Sequence, residues 1–84
     1  MDDSQPKIKM YGTTWCYDSR RAKSVLDNNH IPYEFIDIDQ DPEGRKYVES
    51  VNNGYRSVPT IVFPDGSILV EPSSIDLNKK LGLS

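Results

Sequence analysis

The sequence predicts an α/β domain in the order β-α-β-α-β-β-α, a mixed four-stranded sheet flanked by helices on both faces. Three observations carry this. Strand-like and helix-like patterns alternate up to Gly54, as in a βαβ unit and its continuation. A nearly continuous apolar run, Val58 to Phe63, is followed by Pro64-Asp65-Gly66-Ser67 and a short apolar return, the pattern of a hairpin. A last helical period opens after Pro72-Ser73-Ser74.

The elements follow in order. Residues 1–6 are polar and acidic and are expected to be a flexible tail, with the folded domain over 7–84. Lys7-Ile8-Lys9-Met10-Tyr11 reads as the first strand, broken by Gly12. Ala22, Val25 and Leu26 recur at helical spacing, so a helix runs from about Cys16 to Asp27 or Asn28. Asn28-Asn29 is its expected stop, because Asn tolerates the left-handed conformation. Residues 33–39, rich in aromatic and β-branched side chains, form the second strand, parallel to the first. Asp41-Pro42-Glu43 starts the next helix with a capping carboxylate, a proline suited to the first turn and a favourable negative charge. Tyr47, Val48 and Val51 give its apolar stripe, and Asn52-Asn53-Gly54 ends it with residues suited to positive φ. Residues 58–63 make a strand buried on both faces, 68–70 its hairpin partner, and 75–81 the last helix, closed by Gly82.

Composition narrows the function. The chain has 84 residues and a formal net charge of −3. That charge disfavours nucleic acid, whose non-specific affinity comes from Lys and Arg on phosphates. It gives no reason to expect a membrane surface as partner. No apolar run approaches the roughly 20 residues of a spanning helix. The N-terminus lacks the basic and apolar regions of a signal peptide, so a cytoplasmic location is expected. A single cysteine excludes an intrachain disulfide or a multi-cysteine metal site.

That cysteine lies in Thr13-Thr14-Trp15-Cys16-Tyr17-Asp18-Ser19-Arg20-Arg21, where a strand hands over to a helix. Helix N-termini carry unpartnered N–H groups and partial positive charge, a setting that stabilises thiolates over thiols. A lone cysteine is most often a small buried hydrophobe. Here its neighbours are poor core material, and Trp15 and Tyr17 suit a partial shield that leaves one side of the sulfur open. Arg20, Arg21 and Lys23 are solvated helix charges or an attraction for an anionic partner. Arg56 is a carboxylate ligand or an ordinary surface arginine. His30 reads as structural.

Three runs in this order resemble the glutaredoxins, with their thioredoxin-like fold, over roughly residues 7–83. They are Thr13-Thr14-Trp15-Cys16, Val51 to Thr60, and Phe63-Pro64-Asp65-Gly66-Ser67 with Pro72-Ser73. The likeness is to the mycoredoxin-like, actinobacterial type. It implies thiol–disulfide exchange in cell redox homeostasis, with Cys16 as nucleophile and Pro59 as a cis proline facing it. It implies a groove lined by Thr13, Trp15, Tyr17 and Ser19, with Val58 offering its backbone to an extended segment. Ser73 and Ser74 fall where family members hold a ligand carboxylate. Glu71-Pro72-Ser73-Ser74 replaces the usual Gly-Gly there, which leaves mycothiol beside glutathione as the low-molecular-weight thiol. Ser19 stands where dithiol members carry a second cysteine; its hydroxyl is within helical reach of the Cys16 sulfur, and the cycle implied is monothiol. The Cys-Gly-Phe-Ser pattern of cluster-carrying relatives is absent. The expected protein is a monomer without a bound cofactor, acting on disulfide-bearing or S-thiolated proteins. The alternative is a non-catalytic binding module that captures a partner disulfide or holds an iron–sulfur cluster between two chains.

Overall fold

The computed structural model describes residues 7–83; the expected N-terminal tail lies outside them. Seven elements appear in the predicted order: β1 (Ile8–Gly12), α1 (Tyr17–Asn28), β2 (Tyr33–Asp37), α2 (Pro42–Val51), β3 (Thr60–Val62), β4 (Ile68–Val70) and α3 (Ser74–Leu81). The sheet runs β2-β1-β3-β4. β1 pairs parallel with β2, while β3 is antiparallel to both β1 and β4. Among the described residues, no helix is long and apolar enough to cross a membrane.

Alternation along the strands separates the two faces. Ile8 and Met10 of β1 join Ile61 and Phe63 beneath Ala22 and Leu26 of α1 and Leu77 of α3. Tyr11 points the other way and stacks on Tyr47 of α2, with ring centroids 4.9 Å apart. Helices α1 and α3 therefore cover one face and α2 the other. Gly44 lets α2 approach closely, because a Cβ there would lie 2.7 Å from Ile36 Cγ2.

Local chemistry set most boundaries. Asp41 caps α2 by accepting from the N–H groups of Glu43 and Gly44, both at 3.1 Å. Asn53 and Gly54 take positive φ after α2, and Gly82 does so after α3. Some expectations shift. Gly12 does not break the first strand; it completes β1, opposite Asp37. The second strand ends at Asp37, not 39, because the Asp37 carboxylate accepts the N–H of Asp39 at 2.9 Å and starts a turn. The third strand is shorter than 58–63: Pro59 has no N–H to give the ladder, and Phe63 donates its N–H to the Ser67 C=O at 2.9 Å as the turn begins. At the end of α1 the left-handed residue is His30 (φ 56), whereas Asn29 has φ −103. Val51 leaves the expected apolar stripe and is exposed.

The hairpin turn supplies one titration test. Asp65 accepts from the Ser67 hydroxyl at 2.6 Å, from the Ser67 N–H at 2.9 Å and from Lys80 Nζ at 3.3 Å. These contacts, the Ser67 hydroxyl foremost, lower its carboxyl from 3.8 to about 2. A depressed folded value means that the turn's contribution to stability is whole above the unfolded value and fades as pH falls toward 2. A side-chain NMR titration should place the Asp65 midpoint near 2; a midpoint at 3.8 would mean the Ser67 contacts are not formed.

Candidate active site

Sheet topology brings four chain segments to one end. β1 and β2 are parallel, so the loops that leave them, 13–16 and 38–41, emerge side by side. A hydrogen bond from Ile38 N–H to Gly12 C=O, 3.0 Å, ties the two exits together. β3 runs the opposite way, so its start lies at the same end, with Thr60 opposite Tyr11 and cis Pro59 one residue beyond. β4 leaves there too, and the N–H of Glu71 donates to Pro59 C=O at 2.8 Å. α1 and α3 both start at this end. Crevices outside strand ends of this kind are where open α/β sheets place their ligands.

Cys16 is the N-cap of α1, with extended backbone (φ −81, ψ 128) and a carbonyl that accepts the N–H of Arg20 at 3.0 Å. Its thiol is free, half-buried and makes no capping bond. Trp15 and Tyr17 flank it with exposures of 70% and 71%, so they rim the sulfur without burying it. The Trp15 indole N–H donates to the Asp39 carboxylate at 2.8 Å. This clamps the β1 exit loop to the β2 exit loop across 24 residues of sequence, and no local pattern pointed to Asp39. Because Trp15 is the single tryptophan, its fluorescence anisotropy reads the clamp directly. Asp39→Ala should lower that anisotropy while costing less than about 1 kcal/mol of stability, because the bond is exposed and water takes the place of the lost partner. Unchanged anisotropy would show the indole to be held by other means.

The other predicted residues divide. Pro59 is buried and cis. Val58 is half-buried, and its N–H and C=O enter none of the backbone hydrogen bonds among the described residues. Thr13 and Ser19 do not line an open groove, as they are only 3% and 1% exposed. The Ser19 hydroxyl accepts the Thr13 N–H in a long bond of 3.4 Å. It also packs against Gly12, where a Cβ would come within 2.8 Å of it. Ser19 thus seats α1 on the end of β1. Ser73 is committed to capping α3, accepting the Asp76 N–H at 3.0 Å, while Ser74 is the first residue of that helix. Arg56 is exposed and its Nε donates to Glu49 at 3.0 Å. Arg21 reaches from α1 to the Pro72 carbonyl at 3.4 Å, joining the cysteine helix to the entry of α3.

Comparison with known proteins agrees with this geometry. The glutaredoxin family profile matches residues 8–68. A protein of Mycobacterium tuberculosis provisionally named a glutaredoxin is 40% identical over 74 residues, 88% of each chain. Mycoredoxin 1 of Corynebacterium glutamicum is 36% identical over 74 residues, 88% of this chain and 91% of that one. The crystal structure of a variant of the thioredoxin-like protein BC3987 superposes with a TM-score of 0.80 at 27% identity, covering 93% of this chain and 97% of the other. With a free thiol capping α1, a cis proline opening β3 and these likenesses along most of its length, this chain belongs to the glutaredoxin family, has the thioredoxin-like fold and serves a glutaredoxin-like redox function.

Proposed function

We propose that the chain is a monothiol thiol–disulfide oxidoreductase that reduces mixed disulfides between proteins and a low-molecular-weight thiol. One observation carries the reading: the only thiol caps a helix at the end of the sheet where the strand-exit loops gather, and the position three residues on is a buried serine. Serine cannot attack sulfur, so release must come from outside the chain.

The cycle then has two steps. Cys16, as thiolate, attacks the small thiol's sulfur; the S–S bond breaks and the protein leaves as a thiolate with the electron pair. A second small thiol attacks the Cys16 adduct, frees Cys16 and departs as the small-molecule disulfide. Rates follow thiolate fraction, nucleophilicity and access. The Val58 backbone, unpaired among the described residues, supports docking of an extended segment beside cis Pro59. The 36% identity to mycoredoxin 1 supports mycothiol ahead of glutathione as the small thiol. The protein acts as a monomer in the cytoplasm, with the small thiol as co-substrate and no bound cofactor.

The test supplies a mycothiol-modified or glutathione-modified protein with excess matching thiol and follows release by mass spectrometry. Many turnovers are expected, and omission of the second thiol should leave one adduct on Cys16. Release of a single equivalent that excess thiol cannot extend would make the chain a capturing module and not a catalyst.

A further inference from the structure

The outer face of α1 carries an open depression of about 520 Å³ lined by Tyr17, Arg20, Arg21 and Ser24. These positions recur at i, i+3, i+4 and i+7, so they form one stripe that begins at the residue after Cys16. Arg21 is held in place. Its guanidinium meets Asp18 at 3.3 Å and the Pro72 carbonyl at 3.4 Å, and lies 5.6 Å from the centre of the Tyr17 ring. Arg20 is exposed and enters no ion pair among the described residues. The opposite flank of the thiol, past Trp15, is acidic, with Asp37, Asp39 and Asp41 in or beside the β2 exit loop. Sheet order separates the two flanks: Asp39 follows the β2 edge and Pro72 follows the β4 edge.

We propose that this depression docks an acidic segment of the protein whose disulfide Cys16 opens, adjoining the target cysteine. The inference deepens the exchange function above and rests on it. Charge complementarity names the occupant. Arg20 has no ion-pair partner among the described residues and Asp18 already answers Arg21, so the lining offers an acidic segment a free guanidinium and offers a basic segment no carboxylate. The nearest exposed acids on this side, Glu71 and Asp76, lie beyond Pro72 and outside the lining. Length follows from the helix. Tyr17 to Ser24 spans seven residues, about 10 Å at 1.5 Å per residue, which matches about three residues of extended chain. Such a site acts on encounter rate and orientation, and salt weakens it.

Two symmetrical peptide disulfides test it: one built from cysteine followed by three glutamates, the other from cysteine followed by three lysines. Cys16 thiolate attacks either equivalent sulfur, the S–S bond breaks, and half the peptide leaves as a thiolate while the other half stays on Cys16. The mass shift of the protein gives each rate. At low ionic strength the acidic peptide should react about tenfold faster, with the ratio falling toward one in 0.5 M salt. The net charge of −3 alone predicts the opposite order. Arg20→Glu should reverse the ratio, and a ratio of two rates on one protein cancels any change in the thiol's own reactivity. A wild-type ratio at or below one, or a ratio that Arg20→Glu leaves in place, overturns the docking site. If neither peptide reacts while iodoacetamide still alkylates Cys16, the exchange function itself fails and the docking site falls with it.

Discussion

Cys16→Ser should abolish turnover on a thiol-modified protein, lowering the rate at least about a thousandfold, a loss of about 4 kcal/mol of transition-state stabilisation. What remains is the small thiol acting alone. Oxygen at this position neither attacks a disulfide at neutral pH nor forms the covalent intermediate. The chain offers no substitute, because Cys16 is its only sulfur nucleophile. The fold should survive the change. Cys16 is a half-buried N-cap that makes no side-chain capping bond, and serine is among the preferred residues there. The variant should therefore melt at or slightly above the parent temperature, by the equivalent of up to about 1 kcal/mol. Paired melting and turnover measurements separate chemistry from folding. Residual turnover within about tenfold of the parent would move the reaction away from Cys16.

Leu26→Ala should lower stability by about 2–5 kcal/mol, the range for deleting a large aliphatic side chain from a packed interior. Leu26 has no exposed surface and lies between β1 and α3 in the cluster of Ile8, Met10, Ala22, Ile61, Phe63 and Leu77. A domain this small is stable by only about 4–13 kcal/mol at 0.05–0.15 kcal/mol per residue. Each kilocalorie shifts its melting temperature by about 4–8 °C, so a fall of at least about 8 °C is expected by circular dichroism. Val51→Ala, at an exposed position of α2, is the control and should cost under about 1 kcal/mol. A Leu26 effect as small as the control would mean that α1 does not pack on the sheet as described. Loss of turnover with Leu26→Ala should track unfolding, because the side chain supports α1 from below and lies ten residues along the chain from the thiol.

Whatever depends on neighbours in the chain was legible in the sequence. Element order, the Asp41-Pro42 helix start, the Asn53-Gly54 and Gly82 stops, and Cys16 at a helix entry are decided by period, turn chemistry and capping within a few residues. The family likeness placed Pro59 correctly as a cis proline. Ends were less legible where a side chain chose between two backbone partners, as when Asp37 turned inward and stopped β2 two residues early. Side-chain partners across loops were less legible still. Helical spacing alone could not show that the Ser19 hydroxyl accepts the Thr13 N–H beside Gly12. The Ser73 cap on α3 is a local contact, whereas the Arg56–Glu49 pair crosses a loop. The sequence by itself determined which residue is the nucleophile candidate and that it opens a helix. Only the tertiary structure decided the strand order, the Trp15–Asp39 clamp and the Arg21–Pro72 link, spanning 24 and 51 residues. The physical reason is that these contacts come from strand pairing. A sheet end gathers loops distant in the chain, and side-chain partners there are chosen by that geometry and not by local propensity.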